Sequence, residues 1–220
     1  SVSGIALEND DPKHIYNSAN VRSLLRHHVC NINDHNKLNK ILKEEAPQIV
    51  FHMAAQSLVL ESYIDPIETI ETNVLGTAKL LLSCKSVNTV EAIISVTSDK
   101  CYENVGKLEG YKESDPMGGR DPYSASKGSC ELISKSLAQS SFAETKITIA
   151  TARAGNVIGG GDFADNRLIP DIIRAHLNGD TLEVRNPNAV RPWQHALEPL
   201  FGYLMLAEAM YHREPGWRGG

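Results

Sequence analysis

The stretch VEAIISVTSDKCYE, residues 90–103, decides the fold because it joins an apolar run to a cluster of polar groups. Its first part is continuously apolar, as is typical of a parallel strand covered on both faces of a sheet. Its second part carries a hydroxyl, a carboxylate, an amine and, after one cysteine, a phenol. In open α/β sheets the carboxyl ends of the strands face the ligand. We therefore expect this strand end to form half of an active site.

Two more apolar runs, QIVFHMAA (48–55) and KITIATARA (146–154), predict strands of the same kind. Helical patterns over 34–47, 66–87 and 121–142 separate them, and the first and third begin at an aspartate suited to capping a helix N-terminus. Strands that alternate with helices in this way predict βαβ units. The expected fold class is α/β, a doubly wound parallel sheet.

The pattern changes after the Gly-rich loop IGGGDF, which lacks the Gly-Lys-Ser/Thr ending of a phosphate-binding Walker loop and is interpreted as a tight turn. A helix over 168–177, a short strand TLEVR (181–185) and a helix over 198–211 are predicted beyond it. We expect a second, smaller region to begin near residue 155 and to interleave with the sheet.

Composition excludes several classes of function. A net charge of −5 and a pI near 5.9 argue against nucleic acid and acidic membranes as partners. The four cysteines form no Cys-x-x-Cys pair, which favours free thiols in a reducing compartment over a zinc site or a disulfide framework. With no membrane-length apolar run and no signal-like N-terminus, a cytoplasmic protein without a metal is expected. The chain starts without methionine and ends directly after a helical pattern, as the middle of a longer protein would.

The segment DPYSASKGSCE (121–131) supplies the second half of the expected site, since it contains Tyr123 and Lys127. Residues four apart lie on one face of a helix, where an ammonium lowers the pKa of a neighbouring phenol. A phenol with a lowered pKa acts as a base on a sugar hydroxyl. Alone, the pair is as typical of a solvated helix face. Ser98, at the end of the preceding strand, adds a hydroxyl to position the reacting oxygen.

A strand that ends in serine, followed by Tyr-x-x-x-Lys, resembles the extended short-chain dehydrogenase/reductase superfamily, whose members act on nucleotide sugars. Asp99-Lys100 differs from the Asp-Glu of dTDP-glucose 4,6-dehydratases and resembles the CDP-glucose 4,6-dehydratases. Longer segments resemble the same subfamily: FHMAAQSLV (51–59), ETNVLGT (71–77), VTSDKCYEN (96–104), DPMGGRDPYSASKG (115–128), ARAGNVIGGGDF (152–163) and RNPNAVRPWQH (185–195). The resemblance implies a Rossmann-like fold, NAD as cofactor and CDP-glucose as substrate, in deoxysugar biosynthesis of the kind that feeds lipopolysaccharide O-antigen.

The resemblance also implies catalytic roles. Tyr123 takes the proton of the 4-hydroxyl, Lys127 holds the nicotinamide ribose, and Ser98 hydrogen-bonds the 4-oxygen. Asp99 protonates the departing 6-hydroxyl. Lys100 stands where relatives place a carboxylate base for C5, so it acts either as a neutral amine or as a cation that stabilises the enolate, unless it is a plain surface lysine.

The resemblance implies cofactor contacts at three places besides Tyr123 and Lys127. Met53, Ala54, Ala55 and Gln56 follow a strand over which relatives pass NAD, although core packing explains alanines equally well. Thr72 matches a cofactor-contacting position. Asn31 and Ile32 lie where relatives have Asp-Ile at the adenine, and here an amide replaces the carboxylate.

Substrate contacts are implied for Asn156, near the sugar diphosphate, and for Arg191 and His195, at the phosphates and the nucleotide. A planar guanidinium suits a diphosphate. The alternative is that the RPWQH segment only braces a loop.

The Gly-rich turn that a dinucleotide site needs after the first strand does not precede Ser1. We therefore expect residues 1–154 to be a partial NAD-binding domain without its first β-α unit, and residues 155–220 a partial substrate-binding region. Two alternatives to the dehydratase stay open. One is an inactive remnant or binding module of the same fold, and the other is a related epimerase or reductase. The resemblance also implies a homodimer formed by helices at 66–87 and after Tyr123.

Overall fold

The structure is a computed structural model, and it describes residues 1–213. All its named strands pair in parallel, in three hydrogen-bonded groups with the orders β1-β2, β3-β4-β5 and β6-β7. The predicted α/β class with parallel strands is confirmed. The strands are β1 (Ser3–Ala6), β2 (Arg26–Val29), β3 (Ile49–His52), β4 (Ala92–Val96), β5 (Thr148–Ala152), β6 (Asn156–Ile158) and β7 (Trp193–His195).

Helices connect and cover these strands. They are α1 (Ile15–Ser18), α2 (His35–Glu45), α3 (Val59–Ile64), α4 (Pro66–Ile70), α5 (Gly76–Lys85), α6 (Pro122–Gln139), α7 (Leu168–Asn178) and α8 (Leu197–His212). The single helix predicted over 66–87 is α4 and α5, joined by a π-helical segment at Glu71–Leu75. Among the helices within the described part of the chain, none has the length and apolarity to cross a membrane.

The predicted helix starts at Asp34 and Asp121 are confirmed by their caps. Asp34 accepts a hydrogen bond from the Lys37 amide at 3.0 Å, and Asp121 accepts one from the Ser124 amide at 2.8 Å. Such caps satisfy amides that have no partner inside the helix. They fix where α2 and α6 begin, and therefore which residues α6 presents to the sheet.

The central sheet β3-β4-β5 has an apolar cluster on each face, as the continuous apolar runs predict. Ile93 of β4 faces a cluster that includes α2 and α5, while Ala92 and Ile94 face a second cluster that includes α8. Burial of apolar side chains on both faces is the main favourable term in the stability of such a sheet. The first cluster comprises Cys30, Leu38, Ile41, Leu42, Leu80, Leu81, Cys84, Val87, Val90, Ile93, Phe142 and Ile149.

The prediction of a strand at TLEVR, residues 181–185, is wrong. These residues form no strand in the described structure, and most are exposed. The Arg185 side chain donates to the side-chain and backbone oxygens of Asn166 instead. The short strands β1, β2, β6 and β7 were not predicted, because sequences such as RHHV and WQH lack an apolar run. The predicted second region, 155–220, ends outside the described residues.

The backbone pairing of β4 with β5 continues past both strands. The Thr97 amide donates to the Ala152 carbonyl at 2.8 Å, and the Asp99 amide donates to the Ala154 carbonyl at 3.0 Å. The polar residues after β4 are therefore held beside the segment that leads from β5 into β6. This places them at the carboxyl edge of the sheet.

Candidate active site

The segment after β4 is still extended at Ser98 and turns at the next three residues. Its Oγ accepts a hydrogen bond from the Lys100 amide at 3.2 Å and donates to Asp99 Oδ1 at 3.0 Å. Ser98 thereby caps a single 3₁₀ turn, Asp99–Cys101. Ser98, Asp99 and Lys100 are half-buried, whereas Cys101 is fully buried. The turn leaves the three predicted catalytic groups at the surface of the strand end.

Tyr123 and Lys127 lie on the buried face of α6, 8% and 6% exposed respectively. The Tyr123 amide donates to Ser62 Oγ of α3 at 3.1 Å, which fixes the first turn of α6. Lys127 Nζ lies over the Tyr123 ring, 5.9 Å from its centroid. The predicted pairing of these two side chains on one helix face is thus present in the structure.

That Lys127 lowers the pKa of the phenol stays a prediction, and the burial of Tyr123 acts in the opposite direction. Burial raises the pKa of Tyr123, and a hydrogen bond with Ser98 and the positive charge of Arg167 act only partly against it. Burial also lowers the pKa of Lys127. The reason is that both groups are removed from water, which disfavours the charged form of each.

Arg167 is a site residue that sequence analysis missed. Its guanidinium donates to Asp162 at 3.0 Å and to Ser57 Oγ at 3.1 Å, and its charge acts on Tyr123. It joins the end of the Gly-rich loop to the segment that follows β3. The signal that was available is a lone arginine just after that loop, at the start of α7.

The segment after β3 is anchored by Asn73, a second residue that sequence analysis missed. Asn73 Oδ1 accepts from the Gln56 amide at 2.8 Å, and Nδ2 donates to the Gln56 carbonyl at 3.0 Å and to Ser126 Oγ at 2.8 Å. Met53 and Ala54 are exposed, while Ala55 and Thr72 are half-buried. Buried polar groups need such partners. The predicted cofactor segment is therefore held against the helix that carries Tyr123.

A third missed residue, His52, lies at the end of β3. It is 4% exposed and its Nε2 is 2.8 Å from Thr77 Oγ1. Burial, with a smaller effect from the charge of Lys127, lowers the pKa of His52 to about 4. The imidazole is thus neutral near neutral pH. A histidine inside an apolar run was the only sign of this in the sequence.

Asn31 and Ile32 follow β2, the neighbour of β1. Asn31 is exposed, and its Oδ1 accepts from the Asn33 amide at 2.9 Å in a local turn. Ile32 packs against the first apolar cluster, and a Cβ on Gly76 would lie 2.9 Å from Ile32 Cγ2. Ile32 is therefore a packing residue as well as a predicted cofactor contact.

The two predicted substrate motifs lie side by side. Asn156 of β6 pairs with Trp193 of β7, and His195 pairs with Ile158. A Cβ on Gly155 would lie 2.8 Å from Pro192 Cγ, so only glycine allows this close approach. Arg191 and His195 are exposed, and Asn156 is half-buried. Through Ala154, which accepts from the Asp99 amide, these motifs adjoin the catalytic segment.

The fold and the placement of Ser98, Tyr123 and Lys127 at the carboxyl edge of a parallel sheet are those of the extended short-chain dehydrogenase/reductase class. Within that class, the model of the GDP-mannose 4,6 dehydratase family matches residues 5–212. The chain belongs to this family.

The most informative relative is the CDP-glucose 4,6-dehydratase of Salmonella typhimurium. It is 45% identical over 228 residues, which cover 100% of this chain and 64% of the relative. The dTDP-D-glucose 4,6-dehydratase of Dictyostelium discoideum is 31% identical over 67% of this chain. The chain thus spans less than two thirds of the length of these curated relatives.

Solved structures agree on the fold. The dTDP-glucose 4,6-dehydratase of Streptomyces venezuelae, with NAD and TYD bound, has a TM-score of 0.77 at 22% identity and covers 94% of this chain and 72% of that one. The UDP-N-acetylglucosamine 4-epimerase of Methanobrevibacter ruminantium M1 has a TM-score of 0.71 at 27% identity, over 89% of this chain and 59% of that one.

Proposed function

We propose that the protein converts CDP-glucose to CDP-4-keto-6-deoxyglucose with NAD as a catalytic cofactor. The observation that carries this is the Asp99-Lys100 turn beside a buried Tyr123-Lys127 pair, in a chain 45% identical to a CDP-glucose 4,6-dehydratase. An acid directly after the positioning hydroxyl is needed to expel water, and oxidation or epimerisation alone has no use for it.

The residues present fit NAD at its nicotinamide end. Lys127 is buried, and within residues 1–213 its ammonium faces the Tyr123 ring rather than a carboxylate. A buried ammonium of this kind is stabilised by a hydrogen-bonding ligand such as a ribose. Met53, Ala54, Ala55, Gln56 and Thr72 would line the cofactor, with Asn31 and Ile32 further along. When bound, the cofactor would supply a hydride acceptor for C4 and, after water is lost across C5 and C6, the hydride for C6.

The chain's own residues handle the protons. Tyr123 takes the proton of the 4-hydroxyl, and the positive charge of Arg167 favours its anionic form by lowering its pKa. Ser98 orients the 4-oxygen, and its hydroxyl also donates to Asp99. Asp99 then delivers a proton to the departing 6-hydroxyl. Lys100, held by the same turn, would act at C5 as base or cation.

Substrate binding is assigned to the paired motifs at β6 and β7. Asn156 would contact the sugar diphosphate, and Arg191 and His195 the phosphates and the nucleotide. Arg191 suits this role because it is exposed and, among the described residues, its recorded hydrogen bond is only to the neighbouring Val190 carbonyl. A guanidinium with free donors can bind phosphate in a bidentate manner.

A direct assay tests the proposal. The protein is incubated with NAD⁺ and either CDP-glucose or dTDP-glucose, the nucleotide sugars are separated by chromatography, and their masses are measured by mass spectrometry. Loss of one water from CDP-glucose, faster than from dTDP-glucose, is expected. A product of unchanged mass would favour the epimerase alternative. Binding of NAD and CDP-glucose without any product would favour the binding-module alternative.

Assembly and location complete the proposal. A second copy of the chain would cover the exposed apolar side chains of α3 and α4, which include Tyr63, Ile64, Ile67 and Ile70. Exposed patches of this kind mark interfaces. The four cysteines are free and buried, which suits a reducing cytoplasm. Residues 1–154 would bind NAD, and the region from 155 onward the nucleotide sugar.

A further inference from the structure

We propose that Glu131 is a positioning residue that holds the catalytic turn, residues 98–101, in register with Tyr123 through Arg153 and Tyr102. The inference rests on the proposed function, which assigns chemistry to that turn. It gives Glu131, Arg153 and Tyr102 positioning roles that the dehydratase mechanism does not assign to them.

Glu131 gathers hydrogen bonds from both sides of the catalytic turn. Its carboxylate, 3% exposed, accepts from the Thr97 hydroxyl, which belongs to the residue just before Ser98. It also accepts from Thr151 Oγ1 at 2.6 Å, and from Arg153 Nε and Nη2 at 2.8 and 2.9 Å. One buried carboxylate thus fixes the exit of β4 and the exit of β5 together.

Arg153 carries the connection to the other end of the turn. Its Nη1 donates to the Tyr102 hydroxyl at 2.9 Å, and its guanidinium lies 4.8 Å from the centroid of the Tyr102 ring. Tyr102 directly follows the 3₁₀ turn. Thr97 precedes Ser98, Asp99 and Lys100 in the chain, and Tyr102 follows them. Thr97 bonds to Glu131 directly, and Tyr102 is linked to Glu131 through Arg153.

Glu131 lies on α6, the helix that also carries Tyr123, so its hydrogen bonds connect the catalytic turn to that helix. Tyr123, Lys127 and Glu131 are spaced four residues apart, so they lie on one face of one rigid helix. The helix also packs closely on the turn itself, because a Cβ on Gly128 would lie 3.3 Å from the Cys101 carbonyl oxygen. The distance between the acid on the turn and the base on the helix is consequently set by a single rigid element.

Tyr111 lies beside this network and, within residues 1–213, shares no hydrogen bond with it. Its ring stacks on that of Tyr102 at a centroid distance of 5.0 Å, and its hydroxyl accepts from the Val105 amide at 2.9 Å. Within residues 1–213, the Tyr111 hydroxyl makes no hydrogen bond to Arg153 or Glu131. It therefore offers a matched control for the Tyr102 hydroxyl.

Stability alone does not require this arrangement. A buried ion pair is often replaceable by apolar side chains without loss of stability, so its burial is weak evidence for a stabilising role. Hydrogen bonds from Arg153, Thr151 and Thr97 outweigh burial and keep the pKa of Glu131 low. The carboxylate is thus ionised and accepts all these bonds at neutral pH.

The test compares Tyr102→Phe with Tyr111→Phe in the assay with NAD⁺ and CDP-glucose. Small misplacements of catalytic groups cost on the order of 10- to 100-fold in rate. Tyr102→Phe is expected to lower kcat at least about 10-fold, with KM for CDP-glucose unchanged and with accumulation of reduced cofactor, because oxidation by Tyr123 continues while Asp99 is misplaced. Tyr111→Phe should behave like the wild type. Glu131→Gln should show the same accumulation as Tyr102→Phe.

A purely structural role predicts a different result. Loss of folded protein would lower both steps equally, without accumulation of reduced cofactor, and would overturn the proposal. If the wild type forms no product, the proposed function fails, and hydrogen exchange decides the positioning. Amides of Asp99 and Cys101 should then exchange about 10-fold faster in Tyr102→Phe than in Tyr111→Phe, whereas equal rates would overturn it.

Discussion

Lys127 Nζ lies over the ring of Tyr123, 5.9 Å from its centroid, one turn further along the same helix. Both side chains are buried, and burial shifts the pKa of each towards its neutral form. Burial thus opposes the charged form of each group, so a base role for Tyr123 has to be tested directly. This relationship is the basis of the first prediction.

Tyr123→Phe is expected to abolish oxidation at C4, because the group proposed to take the 4-hydroxyl proton is lost. Loss of a general base costs roughly 10²- to 10⁴-fold in rate. Single-turnover measurement of cofactor reduction with CDP-glucose checks this. Near-normal reduction would remove Tyr123 from the mechanism.

Asp99→Asn should separate the two halves of the reaction. The amide still accepts the hydrogen bond from Ser98, but it cannot protonate the departing 6-hydroxyl. Cofactor reduction should proceed and then stall, which is visible as a lasting absorbance of reduced nicotinamide. An unchanged yield of the dehydrated sugar would contradict the acid role.

Arg191→Ala is expected to raise KM for CDP-glucose about 10-fold, since charge-assisted hydrogen bonds to phosphate are worth about 1.5–3 kcal/mol. Binding of NAD should not change. Arg185→Ala is the matched control, because Arg185 bonds to Asn166 rather than lying free beside the paired strands. Equal effects of the two substitutions on KM would exclude the phosphate contact.

His52 predicts how stability depends on pH. Its pKa in the folded protein is about 4, below the ordinary 6.5. Between these values the unfolded chain binds a proton that the folded chain does not, so stability falls as pH falls. A difference of about 2.5 units corresponds to roughly 3 kcal/mol.

Urea unfolding at about pH 7 and about pH 4.5 measures this loss. His52→Gln keeps a hydrogen-bonding side chain beside Thr77 but does not titrate, so its loss of stability should be smaller by about 2–3 kcal/mol. An identical loss in both proteins would show that other groups control the pH dependence.

Asn73→Ala should destabilise the fold by about 2–3 kcal/mol, because it leaves the Gln56 amide and carbonyl without their partner. Chemical denaturation measures the change in the free energy of unfolding. The control is Asn36→Ala on the exposed side of α2, which is expected to change stability by no more than about 0.5 kcal/mol. A neutral Asn73→Ala would mean that water replaces these hydrogen bonds.

The sequence predicts those parts of the fold whose signals are local. The apolar runs of β3, β4 and β5 and the capping aspartates Asp34 and Asp121 each identify an element without reference to the rest of the chain. The strands β1, β2, β6 and β7 are too short and too polar for that, and TLEVR has strand composition but no partner strand.

The site follows the same rule. The pairing of Tyr123 with Lys127 is set by helical spacing and is predictable, whereas the contact between Glu131 and Arg153 joins positions 22 residues apart on different elements. The pKa of Tyr123 depends on how many neighbours exclude water from it, and helical spacing does not contain that information. The roles of Arg167 and Asn73 likewise depend on contacts between segments that are distant in the sequence, so the sequence alone does not predict them.

The Asn73 side chain hydrogen-bonds both the backbone amide and the backbone carbonyl of residue 56, as a neighbouring strand would. Every residue type except proline offers these two groups. The path of that segment therefore depends on main-chain groups of residue 56, to which the Gln56 side chain adds contacts with Thr69 and the Leu58 amide. A deep mutational library should consequently show that Asn73 is less replaceable than its neighbours on the exposed side of the same helical segment.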